Sequence, residues 1–554
     1  MQREKGPGLW DWVRNRLAFD QPQRVGPFAI PRLGDAGEND PEERDFGEAT
    51  QRQNTPVTGQ LEKDLAYVKE QFCSDRNPDL IVRRLRAGDR PVAVLYIDGM
   101  SSRVDVSDFI IRPLSRQGLP PEEEQPVAQA LLDVVEVGNV QAQASLDEGI
   151  RGLLMGDSLV LVQGASQAFV CETKGYERRS VNIPQTEGAV KAPQEAFTEN
   201  LKTNTTLVRR IIKNPRLVVE YTMVGDVNRS SCAVLYIDGL CNPAIVEEVK
   251  RRLDSLRGDF IFGSGMLEQF IEDNPFSIFP SVLSTERPDK VAANLNEGRV
   301  GIILDGSPFG VVVPMTLSSM LTTTEDTSLR WQYGTLTRII RCIALFASIY
   351  LPALYVALTN FHQEMIPTDI LIAIAQAREN VPFPSVVEAF LMVLSFDLIR
   401  EASTRVPGII GNSIGIVGAL ILGQASVEAN LVSPILIIIV AFTGMGSFAL
   451  PDYSFTFGVR LLRIFLLLCG VVMGFVGIAL GTVITLALMV GEQSFGVDTL
   501  VLEEKEGEEG GQGLVFRRPV WQRELRSRRL HPLYRRNQPR VSRPWTKEPP
   551  KWHR

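Results

Sequence analysis

The sequence predicts an α/β soluble region made of two related subdomains, followed by an α-helical polytopic membrane domain. Three observations carry this. A strand–turn–strand block is duplicated in the first half. Residues 338–490 are mostly apolar. Charge is concentrated in residues 1–330, and residues 517–554 are strongly basic. The 554 residues carry 58 Lys and Arg against 65 Asp and Glu, a formal charge of −7. That balance excludes a wholly basic nucleic-acid binder, so no nucleic-acid partner is expected. Disorder throughout and a purely soluble protein are excluded as well.

Residues 1–60 are rich in Gly, Pro, Asn and acids and read as a flexible N-terminal tail. Within them, Trp10, Trp12, Val13, Leu17 and Phe19 suit either a partly ordered tail or a short amphipathic turn on a membrane surface. The opening MQREKGPGLWDWVRNR lacks the apolar core of a signal peptide. The large N-terminal region is therefore expected in the cytosol.

The repeat defines a first α/β subdomain (61–194) and a second (195–330). Asn-Pro, Gly-Asp and AVLYIDG recur in order in Asn77–Gly99 and Asn214–Gly239. The apolar AVLYI run suits a buried strand and Asp-Gly the turn that ends it. Helical patterns follow near Val104–Leu114 and Pro243–Leu256. LDEG then LVLVQG in the first copy echoes LNEG then GIILDG in the second. A helix near 195–213 joins the units, with Phe197, Leu201, Val208, Ile211 and Ile212 compatible with one packed face. Tyr96 and Tyr236 are expected in matching environments.

Little here suggests catalysis. Six cysteines without a CxxC, two of them in apolar runs, argue against a disulfide framework or zinc site. Three histidines, at 362, 531 and 553, make a His-rich metal site or a Ser-His-Asp triad improbable. Asp98 and Asp238 each serve a turn. GSGMLEQF (Gly263–Phe270) is not a P-loop. No catalytic, cofactor-binding or metal residue is assigned, and no enzyme is expected.

A hydrocarbon core of ~30 Å needs roughly 20 helical residues. In the transmembrane helical domain (331–495), Ile339–Thr359 and Leu431–Leu450 meet this. Gly408–Ala425 is glycine-rich. Ser385–Ile399 is shorter and carries Glu388 and Asp397, so it is either interfacial or faces a bundle interior. Leu461–Val490 is one long tilted helix or a tight hairpin. Arg338 and Arg341 put the soluble repeats on the cytosolic side. The final region (496–554) is an acidic linker and basic C-terminal tail. From Arg517 it has 13 Lys or Arg against two Glu. It is expected inside, either solvated or held at an anionic leaflet.

Charges within hydrocarbon cost several kcal/mol and need a reason. Glu388, Asp397, Glu401 and Arg405 form a candidate intramembrane charge network. Asp397, Glu401 and Arg405 share one helical face, and Glu401 and Arg405 are spaced to pair. Ser413, Val417, Leu420, Gln424 and Glu428 follow one face of the third segment. That stripe either packs within one subunit or lines a pore. In the pore, Val417 and Leu420 make an apolar constriction and Glu428 an acidic ring. GxxxG spacings at Gly411–Gly415, Gly470–Gly474 and Gly477–Gly481 permit close helix approach.

Three stretches carry a resemblance. They are EAFTENLKTNTTLVRRIIKNPRL (Glu195–Leu217), DNPFSIFPSVLSTERPDKVAANLNEGRVGIILDGSPFGVVVP (Asp273–Pro314) and GIVGALILGQASVEANLVSPILIIIVAFTG (Gly415–Gly444). DLIREASTRVP (Asp397–Pro407) and the tail's RRPVW (Arg517–Trp521) add to them. Over about residues 75–495 the chain resembles the A subunit of the GerA family of spore germination receptors. It departs at Val393, where the family pattern carries a glutamate, in the acidic insertion near Glu503–Glu509, and in the long basic end. The resemblance implies a multi-pass protein of the spore inner membrane. It implies a transporter-like B subunit that binds nutrients, a lipoprotein C subunit, and a homo-oligomer acting as a gated cation channel. A sporulation-specific paralogue supporting germination, or a secondary transporter, is the alternative. A transporter often repeats its membrane block, whereas the clear duplication here is soluble.

Overall fold

A computed structural model describes residues 28, 30, 54–120, 126–175, 183, 184, 187–189, 191–405, 418, 421–500 and 515–538. The apolar residues at 10–19 and the acidic insertion at 503–509 lie outside the described residues.

Each repeat opens as an antiparallel hairpin. β1 (Leu80–Ala87) pairs with β2 (Arg90–Ile97), Leu80 opposite Ile97. The first subdomain adds α1 (Leu61–Gln71) before this hairpin. After it come α2 (residues 103–117), α3 (Val127–Val134), β3 (Val140–Gln143), α4 (Leu146–Leu154), β4 (Ser158–Val162) and β5 (Ala168–Cys171). The second subdomain follows a related plan. Its elements are α5 (Leu201–Ile211), β6 (Leu217–Val224), β7 (Ser230–Ile237), α6 (Pro243–Asp254), α7 (Ser264–Ile271), β8 (Leu283–Thr285), α8 (Pro288–Asn296), β9 (Val300–Leu304) and β10 (Gly310–Val313). The sheet orders are β1-β2-β4-β5-β3 and β6-β7-β9-β10-β8, the same topology twice. β2 and β7 are interior strands, second from one edge, and AVLYI supplies apolar side chains to both faces of its sheet. In the first sheet Val94 faces one core and Ala93 with Leu95 the opposite one, and in the second sheet Val234 and Ala233 with Leu235 divide in the same way between two further cores.

Tyr96 and Tyr236 share a register position, opposite Ile81 and Val218, but not an environment. Tyr236 is buried and donates to Glu220 at 2.5 Å, whereas Tyr96 is half-exposed. Arg83 holds the place of Glu220 in the first copy, so the acceptor is missing there. Residues within the expected N-terminal tail are also engaged. Val57 N donates to the Ala144 carbonyl, and Pro56 bridges to Ser145.

Two short helices, α9 (Leu317–Leu321) and α10 (Thr324–Ser328), lead to α11 (Trp331–Asn360). Then come α12 (Thr368–Arg378), α13 (Ser385–Arg405), a helical segment at 421–428, α15 (Pro434–Phe448) and the run Tyr453–Gly491; the 421–428 segment is α14. α12 lies in the stretch between the first two predicted segments, where no helix was assigned. Trp331–Asn360 and Tyr453–Gly491 are long and apolar enough to cross a membrane, and Pro434–Phe448 is a shorter apolar helix.

The run Tyr453–Gly491 is a hairpin. Gly474 has φ 58° and ψ −136°, a conformation that side chains resist. Beyond it the chain doubles back, so Gly477 lies against the Cys469 carbonyl and Gly481 against Leu466. A continuous helix would hold residues 466 and 481 roughly 22 Å apart. The tip meets Phe361 and His362, at the far end of α11. α13 and α15 run parallel: Glu388 meets Ser433, while Arg400 meets Ser447. The second predicted segment is therefore packed within the bundle.

Candidate functional site

The structure converts the family-like stretches into joints. The first lies between the two subdomains. Asn200 caps α5 by accepting from Thr203 N, and α5 then presents Lys202 and Arg209 to the first repeat. Arg209 is buried and pairs with buried Asp79 at 2.8 Å while donating to the Leu217 carbonyl. Tyr221 donates to the other Asp79 oxygen at 3.0 Å. Lys202 reaches Asp98 at 3.0 Å, and Arg76 reaches Asp238 at 2.7 Å. Both turn aspartates thus serve ion pairs that cross from one subdomain to the other. Burial pushes the Asp98 carboxyl up, but its bonds from Arg103 and Lys202 prevail and hold it below the usual range. Gly99 has φ 82°, and a Cβ there would meet Thr206 Oγ1 at 2.4 Å. The YIDG glycine lets α5 come this close.

The second joint couples the second subdomain to the helical block. Phe495 N donates to Asp273 at 2.7 Å, and Ser494 Oγ donates to the Ser281 carbonyl at 2.5 Å. Leu317 N donates to the Thr499 carbonyl. The chain therefore returns from the hairpin to the subdomain that α11 left. Phe279 meets Phe455 with ring centroids 6.3 Å apart. One apolar core runs without a break from Leu235 and Ile303, through Leu317 and Met320, to Ala353, Val459 and Leu466. At the foot of α11, buried Asp326 takes Arg341 at 2.7 Å and Arg338 at 3.3 Å. Burial raises the Asp326 carboxyl, but the bond from Arg341 leads the forces that hold it below its ordinary value. Glu272, in the loop before Asp273, is pushed up to about 7 by burial, against a bond from the Ser281 backbone.

Within the helical block, Glu388 and Asp397 do not share one network. Glu388 is fully buried, 3.3 Å from Arg378, and accepts from Ser433 N at the start of α15. Asp397 pairs with Arg463 of the first hairpin arm at 2.6 Å. Nine residues separate the two acids, roughly 13 Å along α13. Glu401 is exposed, and the Arg405 side chain lies outside the described residues. Arg378 and Arg463 were not assigned as partners from sequence. The available signal was stoichiometric: lone bases in the same apolar block as lone acids. Of the pore stripe, Ser413, Val417 and Leu420 lie outside the described residues. Gln424 and Glu428 are exposed and joined by a 3.0 Å hydrogen bond. Close helix contact also uses glycines outside the GxxxG pairs. A Cβ on Gly446 would meet the Ala344 carbonyl at 2.6 Å, and one on Gly444 the Phe396 ring at 2.2 Å.

A duplicated α/β region joined to an apolar helical block, with two helices long and apolar enough to cross a membrane, defines a membrane-associated protein. The chain matches the family described as Bacillus/Clostridium GerA spore germination protein over residues 66–529. Spore germination protein KA of Bacillus subtilis (strain 168) is 39% identical over 473 residues, covering 85% of this chain and 86% of that protein. Spore germination protein B1 of the same organism is 35% identical, covering 80% and 92%. Spore germination protein GerLA of Bacillus cereus is 36% identical, covering 77% and 87%. The crystal structure of the N-terminal domain of the A subunit of the Bacillus megaterium spore germinant receptor GerK3 aligns at 28% identity with a TM-score of 0.37. That alignment covers 48% of this chain and 98% of the other. The chain belongs to the GerA family of spore germination proteins.

Proposed function

We propose that this chain is the A subunit of a nutrient germinant receptor, and that copies of it enclose a gated cation pathway coupled to a nutrient-binding B subunit, with a lipoprotein C subunit alongside. The supporting observation for the pathway is the exposed Gln424–Glu428 pair. Glu388 and Asp397, by contrast, face Arg378 and Arg463 within the chain. Exposed polar side chains beside an apolar bundle call for an aqueous or protein neighbour, and a ring of copies supplies one. In such a ring Glu428 favours cations, and Val417 with Leu420 gates by dewetting. The protein sits in the spore inner membrane with both subdomains in the cytosol. The return of the hairpin to the second subdomain supports an even number of crossings.

The test is monovalent-cation flux in liposomes holding the purified chain. Val417→Ala is expected to leak without nutrient, and Glu428→Gln to lose cation preference while assembling normally. Normal closure and unchanged selectivity in both assembled variants would refute the pore. Flux that requires a counter-transported solute would establish a transporter instead. Deleting the gene separates a receptor, lost for one nutrient class, from a paralogue whose loss slows germination generally.

A further inference from the structure

The described part of the basic tail, residues 515–538, packs on the protein. Leu533 N donates to the Leu240 carbonyl, and Arg526 donates to the Asn296 carbonyl at 2.6 Å. One stretch, residues 516–523, reaches the foot of α11. Arg517 is buried there and donates to the carbonyls of Leu329 and Thr327 at 2.8 and 3.0 Å. Its Cδ would lie 2.9 Å from a Cβ on Gly334, and its backbone N–H meets Thr335 Oγ1.

Among the described residues, the arginines at this point outnumber the acids they are seen to pair with. Arg338 and Arg341 share Asp326, and Glu297 lies 3.9 Å from Arg299. Among the described residues the Arg517 guanidinium donates only to carbonyls, and its Nε is buried without a partner. Arg523 Nη2 is likewise buried with no hydrogen-bond partner among the described residues. Burial, then the charges of Arg338 and Arg517, pushes the Arg523 guanidinium down to about 10. Next to these arginines, Phe516, Val520 and Trp521 are exposed. Trp331, Tyr333 and Ile340 of α11 are exposed as well. The apolar run of α11 starts at Ile339, one residue past Arg338. Clustered guanidinium groups beside exposed aromatics, at the entry of an apolar helix, match the headgroup layer of a bilayer.

We infer that residues 516–523 and the foot of α11 form a site for an anionic phospholipid headgroup, its phosphate held by Arg523 with the charge of Arg517 behind it, and its upper acyl chain covered by Phe516, Val520 and Trp521. This rests on α11 crossing the membrane. The tail is thus a lipid-read clamp on the helix that joins the second subdomain to the block, rather than a diffuse basic arm.

The full chain is placed in nanodiscs of phosphatidylcholine and phosphatidylglycerol, with brominated acyl chains on one lipid at a time. The Trp521 contribution is the difference between the parent and Trp521→Phe. Trp521 is expected to be quenched more by brominated phosphatidylglycerol than by brominated phosphatidylcholine. Arg523→Gln, which gives up no hydrogen bond to the described residues, is expected to lower that preference about fivefold. Arg523→Lys keeps the charge and most of the preference. Equal quenching by both lipids, or an unchanged Arg523→Gln, overturns the site. Loss of the preference in inorganic phosphate, but not in chloride of equal ionic strength, would assign the site to free phosphate and overturn the lipid assignment. Failure to enter nanodiscs at all would strike the membrane placement itself.

Discussion

Replacing Gly477 by Ala distinguishes a hairpin from a continuous helix by the sign of its effect. An Ala Cβ would sit 2.0 Å from the Cys469 carbonyl oxygen and 2.8 Å from its carbon. A relaxed C···O contact is roughly 3.3 Å, so the arms must part by about 1.3 Å. The obstacle is backbone, which no rotamer change relieves. The cost is then at least the ~1–3 kcal/mol of an overpacked core. In a continuous helix the same change replaces a poor helix former with the best one and gains about 0.8–1.0 kcal/mol. Gly474→Ala gives the same contrast, because its φ of 58° costs a side chain of order 1–3 kcal/mol. Gly265→Ala, in α7 with open space around it, serves as the control and is expected to be neutral or slightly stabilising. Thermal unfolding of the detergent-purified chain reads all three. Gly477→Ala and Gly474→Ala both at or above parental stability would refute the hairpin.

Three further outcomes are expected. Arg209→Met strands buried Asp79 and should cost about 3–5 kcal/mol, measured by chemical unfolding; adding Asp79→Leu should recover much of the loss, and no recovery would remove the pair from the inter-subdomain joint. Glu388→Ala should cost a similar ~3–5 kcal/mol by leaving Arg378 and Ser433 N without their acceptor, whereas Glu388→Gln, which keeps an acceptor for Ser433 N, should cost less; equal melting of both with the parent would count against the pair. The folded pKa of Glu272 is raised from 4.5 to about 7, so the folded state holds the extra proton and stability falls as pH rises from about 4.5 to 7. Allowing for partial exposure, about 1 kcal/mol is at stake; thermal unfolding across pH 5–8 should show this slope, and Glu272→Gln should flatten it.

The sequence by itself determined the repeat, its opening strand–turn–strand and the position of most apolar helices. These depend on short-range patterns: two copies of AVLYIDG, a short apolar run ended by an Asp-Gly turn, and apolar runs long enough to span. Even the hairpin was present as one of two options, because 30 apolar residues exceed a single crossing. Only the tertiary structure chose between them, since a glycine with positive φ looks in sequence like a glycine within a helix. The charged groups show the same division. Glu388 and Asp397 were visible as costly acids in an apolar block, but their bases come from α12 and the first hairpin arm, 10 residues before and 66 residues after in the chain. Helical spacing relates side chains along one element and says nothing about which elements meet. Asp98 and Asp238 show this again: each turn was legible, but each also faces a cation from the other half of the duplication. Packing of the two halves against each other, driven by burial of faces that neither covers alone, decided those partners.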